Sequence, residues 1–143
     1  MSVQENTSIA EKFFEAINAH DLNRTKPLEA PNYKSKATGF PDAMDADQAR
    51  AYTQGFITAF PDLNFEISQK IAQGDFVVFN WIARGAHTGN LRTPTGSMIP
   101  PTGKKAAVHG STTYEIKNGK AVRSWIFWDM VTLLTQLGLM PGM

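Results

Sequence analysis

Hydrophobic and polar positions change rhythm near the middle of the chain. Up to about residue 60 the apolar residues recur at helical spacing; beyond it they alternate or run together, as strand residues do. Ile9, Phe13, Phe14 and Ile17 share one face, with Glu11, Lys12 and Glu15 outside it. Asn6 or Thr7 is placed to cap that helix, which should end between Asn18 and Asp21. Leu22 to Leu28 reads as a short helix cut by Pro27. From about Asp45 to Phe60 a third helix sets Ala49, Tyr52, Phe56 and Phe60 on one stripe, and Pro61-Asp62 stops it.

Strand patterns follow. Phe65 to Ala72 alternates, Gly74-Asp75 turns, and Phe76 to Ala83 is a β-rich run. Gly89 to Gly103 is a loop whose Pro94-Thr95-Gly96 and Pro101-Thr102-Gly103 read as two turns. A strand from Ala106 to Ile116 meets Asn118-Gly119, a hairpin signal, and returns as Ala121 to Trp128. Met130 to Leu139 closes the chain as a helix, with Gly138 near its end and Pro141 beyond. Helices first, strands second and a terminal helix predict an α+β fold in one domain over residues 1–143.

Composition narrows the function. Fourteen basic against thirteen acidic residues give a formal charge of +1, which sets up no field for nucleic acid or an anionic membrane. With no cysteine there is no thiolate nucleophile and no Cys-ligated metal. The three histidines are dispersed, without the spacing that zinc or iron ligands use, so neither metal nor cofactor is expected. Glycine-rich nucleotide loops and a serine nucleophile elbow are missing from the sequence. The polar first residues and the lack of a long apolar run predict a cytoplasmic chain.

An ordered series of short segments is more specific. It runs Asn18-Ala19-His20-Asp21, Phe60-Pro61-Asp62-Leu63, Gly74-Asp75-Phe76-Val77-Val78, Gly85-Ala86-His87-Thr88-Gly89, Pro100-Pro101-Thr102-Gly103-Lys104 and Asn118-Gly119-Lys120, and ends with Trp125, Asp129 and Leu133 to Gly138. In that order it resembles the SnoaL-like polyketide cyclases over nearly the whole chain. The resemblance implies a curved, mostly antiparallel sheet with the early helices across its concave face, an α+β cone or barrel. It also implies a homodimer through the outer sheet face, and metal-free, cofactor-free intramolecular aldol closure of a polyketide ester. Asp129 matches the aspartate that moves the proton in those relatives. Where relatives often carry a histidine shortly after the residue matched by Tyr33, this chain has Lys34, Ser35 and Lys36.

Two readings of Asp129 stand side by side. Trp125, Phe127 and Trp128 surround it in sequence, and apolar walls would raise its pKa toward the range of a neutral-pH acid–base. Equally, an aspartate just before Met130-Val131-Thr132-Leu133 is a good N-cap. The register of the last hairpin decides whether His109 joins it. A two-residue type I′ turn at Asn118-Gly119 pairs Lys117 with Lys120 and sets His109 opposite Trp128, away from Asp129. A bulged turn pairs Ile116 with Lys120 and sets His109 opposite Phe127, on the face of Trp125 and Asp129; the resemblance favours this one. Phe14, Tyr33, Phe56, Trp81, His87, Trp125 and Phe127 complete the expected wall of a pocket for a flat, apolar, oxygenated small molecule. Two function classes follow: an enzyme working through Asp129, or a binding or accessory module using the same cone without turnover.

Overall fold

A computed structural model describes residues 2–93 and 95–140. The first helix, α1 (Val3–Asn18), starts earlier than expected: Ser2 accepts from the Glu5 N–H at 3.0 Å, and Glu5 accepts from the Ser2 N–H. This reciprocal capping box displaces Asn6 and Thr7 from the cap. Asn6 is instead buried under the sheet. A 3₁₀ segment, Leu22–Leu28, tolerates Pro27 because it is short and irregular. Helix α2 (Ala46–Ala59) is capped by Asp45 through a second capping box, with Gln48.

Between the two lies a strand that the sequence pattern hid, β1 (Glu29–Ala37). It is an edge strand and runs parallel to the last strand, so the sheet is mixed. Its inward positions are Tyr33, Ser35 and Ala37, and a strand that buries a serine and carries Pro31 shows no apolar alternation. Pro31 sits where the pairing register is interrupted, which an edge tolerates. The Ser35 hydroxyl accepts from Ser124 at 2.7 Å, so the buried oxygen is satisfied.

The remaining long strands are β2 (Asn64–Gln73), β3 (Phe76–Ala86), β6 (Lys105–Lys117) and β7 (Lys120–Trp128), in the order β1-β7-β6-β3-β2. The curved sheet stays open: its edges, β1 and β2, do not meet, so it is a half-cone and not a barrel. In the expected loop, β4 (Leu91–Arg92) and β5 (Met98–Ile99) form a small hairpin. The Pro94-Thr95-Gly96 turn includes Pro94, outside the described residues, as is Pro141. A short α3 (Met130–Gln136) ends at Gly138, whose φ of 73° is left-handed.

Hairpin β6–β7 corrects the favoured register. Asn118 and Gly119 both have positive φ, and Lys117 pairs with Lys120, so the turn is type I′. Two residues on, Glu115 pairs with Arg123 while Ile116 pairs with Ala121, leaving Val122 unpaired in a bulge. Every later residue of β7 is thereby moved one place: Gly110 faces Trp128 and Ser111 faces Phe127.

Helix α1 lays Phe13 and Phe14 onto the concave face, where the Phe13 ring stacks on Tyr114 at 4.6 Å. A second cluster at the other end joins Phe60, Leu63, Val108, Leu133 and Leu137. Trp81, Gly110 and Trp128 form one row across the sheet, and the Trp81 indole lies over the bare Gly110 backbone. A methyl group at Gly110 would sit 2.2 Å from that ring. Gly110→Ala, ordinarily favourable in a strand, should therefore lower stability by about 1–3 kcal/mol in urea unfolding. An unchanged midpoint would show that the ring does not need the space.

Candidate functional site

Strict alternation along β3, β6 and β7 builds the interior. Ala83 pairs with Val108, Trp81 with Gly110, and Thr112 with Ile126, all on the concave side. Ala83, Val108, Trp81, Thr112 and Ile126, with Phe14 and Phe65 beneath and Tyr52 and Phe56 of α2 above, wall a chamber of about 90 Å³. Tyr52, Phe56, Trp128 and Leu133 border both this chamber and a wider neighbouring vestibule of about 630 Å³. The chamber alone is below the roughly 300–1,000 Å³ of a typical ligand site, and the neighbouring vestibule is within that range.

Both inward tryptophans have spent their N–H groups. Trp81 Nε1 donates to Thr112 Oγ1 at 2.9 Å, and Trp128 Nε1 donates to Tyr52 Oη at 2.6 Å. The second bond pins α2 to the end of β7 and holds an edge-to-face aromatic series, Phe40–Tyr52–Phe56–Trp128, with ring centroids 5.2–5.4 Å apart. Burial pushes the Tyr52 phenol up to about 12, so it stays a neutral hydroxyl. No Asp, Glu, His or Lys of the described residues lines the chamber.

The structure divides the expected site residues. Phe14, Phe56 and Trp81 stand on the chamber wall. Tyr33 is buried behind it, 2.6 Å from Ser124 Oγ. Trp125 and Phe127 face outward: the unpaired Val122 puts them opposite Thr113 and Ser111, and Phe127 is 52% exposed. Tyr114, Thr112 and Trp128 line the interior without having been marked as site residues. The Thr112/Tyr114 alternation on β6 was the available signal.

Asp129 and His109 do come together, but outside. The bulge sets them opposite each other, with Asp129 N donating to His109 O at 3.3 Å. Both are exposed, and they border an outer-face groove of about 580 Å³ with Ser111 and Phe127. Asp129 caps α3: it accepts from the Thr132 N–H at 3.0 Å and the Thr132 hydroxyl at 2.5 Å. Those two bonds, first the hydroxyl and then the N–H, hold its carboxyl below the usual value, with a smaller pull from His109. The rise expected from aromatic burial does not occur, because the aromatic rings that pack inward leave Asp129 in water.

The model of the family described as SnoaL-like polyketide cyclase matches residues 7–137. Among solved structures, AclR from Streptomyces galilaeus, proposed as a hydroxylase, is 23% identical with a TM-score of 0.85, covering 99% of this chain and 86% of its own. IdmH from Streptomyces antibioticus, proposed as a polyketide cyclase, is 25% identical with a TM-score of 0.80 over 93% of this chain and 98% of its own. TsrD from Streptomyces laurentii is 20% identical at a TM-score of 0.81, covering 98% and 99%. At these identities the likeness establishes the fold. None of the curated proteins matches.

His87 serves the frame. It is fully buried, stacks on Phe60 at 5.2 Å, and its Nδ1 accepts from the Thr102 N–H at 3.2 Å. That bond assigns the proton to Nε2, which is sealed off without a partner among the described residues. Burial lowers the His87 pKa, so between that value and about 6.5 the unfolded chain binds a proton the folded one refuses. Stability should fall as pH drops below about 6.5, level off under the folded-state pKa, and be flat above. Urea midpoints from pH 5 to 8 should show this slope in the native protein and less of it in His87→Gln; an equal slope in both would clear His87.

Proposed function

The chain belongs to the SnoaL-like polyketide cyclase family, and from that premise we propose that it binds a flat, apolar, oxygen-bearing molecule of polyketide type inside the half-cone, as a binding or accessory member of the family. The observation that carries this reading is the placement of Asp129. Its carboxylate caps a helix on the exposed side, while the aromatic chamber is lined by no carboxylate or imidazole among the described residues. A ligand in that chamber is gripped by ring faces and hydroxyl groups, which orient it without taking a proton from carbon. The apolar Ile71, Phe76 and Phe127 left exposed on the outer face support pairing of two copies there.

A second reading, aldol ring closure with Asp129 as acid and base, is favoured by one observation. His109 and Asp129 are paired through their backbones and both line the outer groove, which puts an imidazole and a carboxylate at one rim. In this reading His109 bonds a substrate oxygen while the carboxylate works on the acidic carbon.

One titration separates the two. Acetonaphthone, a methyl naphthyl ketone, should quench the fluorescence of the chamber tryptophans on binding. Ala83→Phe, which fills the chamber from β3, should weaken that binding at least tenfold while the thermal transition shows a folded protein. Asp129→Asn keeps the cap and should bind as the native protein does, whereas Asp129→Ala should lower only the melting temperature. Full affinity in Ala83→Phe together with lost affinity in Asp129→Asn would reverse the assignment in favour of the outer groove. Ring closure through Asp129 requires in addition that Asp129→Asn cut turnover of a polyketide-type ester by about two orders of magnitude.

A further inference from the structure

Tyr114 is the polar group in the interior that the packing does not explain. It projects from the middle of β6 between Phe13, Phe14 and Phe79, is 3% exposed, and stands on the chamber wall. Buried hydroxyls nearly always have a partner. Its neighbours follow that rule: Tyr33 bonds Ser124, Tyr52 accepts from Trp128, and Thr112 accepts from Trp81. The Tyr114 hydroxyl makes no hydrogen bond among the described residues. Nor is it sealed away, for the buried side-chain atoms that are both sealed and unpartnered are Asn6 Oδ1 and His87 Nε2. Its residue stands on the chamber wall, so a chamber ligand is the partner within reach that the packing leaves open.

We infer that Tyr114 is the hydrogen-bond donor that holds a ligand's carbonyl oxygen inside the chamber, an inference that rests on the binding reading above. The chemistry of the walls selects the acceptor. The Tyr52 and Thr112 oxygens already receive indole N–H groups while each keeps its own O–H, as Tyr114 does, so the chamber wall is richer in donors than in free acceptors. A ligand hydroxyl would bring a proton with nowhere good to put it; a ketone, quinone or ester carbonyl brings none. Burial raises the Tyr114 pKa well above its usual value, helped by Tyr33 and Glu29 nearby, so the phenol keeps its proton at any physiological pH. The chamber's 90 Å³ takes the carbonyl end of such a molecule, and a longer ring system has to part the touching Tyr52, Phe56 and Trp128 side chains to reach the vestibule.

The test compares acetonaphthone with isopropenylnaphthalene, the same shape with C=CH₂ in place of C=O, on the native protein and Tyr114→Phe by calorimetric titration. The native protein should bind the ketone about fivefold more tightly, the scale of one net hydrogen bond. Tyr114→Phe should bind both compounds equally, with the hydrocarbon's affinity unchanged and a melting temperature equal to or above the native one. Equal native affinity for the two compounds, or a ketone preference that survives Tyr114→Phe, would overturn the Tyr114 assignment while leaving binding in the chamber standing. A lowered melting temperature in Tyr114→Phe would give the hydroxyl an internal partner and overturn it as well. Binding of neither compound by the native protein would overturn the chamber reading and this one with it.

Discussion

One unpaired residue in β7 decides what the half-cone contains. If the type I′ hairpin continued without a break, His109 would face Trp128, and Asp129 would stand opposite Val108 on the concave side. The bulge at Val122 moves each following residue to the other face. Ile126 and Trp128 go in; Trp125, Phe127 and Asp129 go out. The indole of Trp128 then reaches Tyr52 and ties α2 to the sheet, while the carboxylate of Asp129 is left to cap α3 in solvent. The hydrophobic chamber and the exposed acidic rim come from the same one-residue shift.

Once the tryptophans face inward, the interior has to absorb them. Gly110 makes the space by carrying no side chain between Trp81 and Trp128, so the Trp81 ring rests against backbone. Each indole N–H needs an acceptor away from water, and Thr112 and Tyr52 provide them. The indole donors are thus satisfied, and the Tyr114 hydroxyl is left with no bond among the described residues. A surface of rings with spare hydroxyl donors is suited to recognising an apolar molecule by an acceptor oxygen. It is poorly suited to stabilising a charged intermediate, since no cation or carboxylate of the described residues faces into it except Arg84 at its edge, which Glu66 holds.

The sequence made the helices legible because their apolar stripes have one face and because Pro61 stops α2 and Gly138 stops α3. The strands β2, β3 and β6 were legible for the same reason, and the family segments were specific enough to imply the curved sheet. Strand β1 was not, because its inward side is Tyr33, Ser35 and Ala37, and the serine is acceptable only through its bond to Ser124. The face of Asp129 was not legible either. Trp125 and Phe127 on one side of β7 and Ile126 and Trp128 on the other are both apolar, so periodicity does not choose between them. The choice is made by backbone geometry at Val122, where the sequence has no glycine to announce a bulge. Phe14, Phe56 and Trp81 were identified as pocket residues because helical and strand periods both put them on the concave side.

The central claim is that the ligand site is the aromatic chamber and that the Asp129 rim lies outside it. The most direct measurement is a crystal structure of the protein grown or soaked with acetonaphthone. The ring system should lie against Tyr52, Phe56 and Trp128, with its carbonyl oxygen about 2.7–2.8 Å from Tyr114 Oη. Density for the ketone on the convex face instead, against Phe127 beside His109 and Asp129, with the chamber empty, would contradict it.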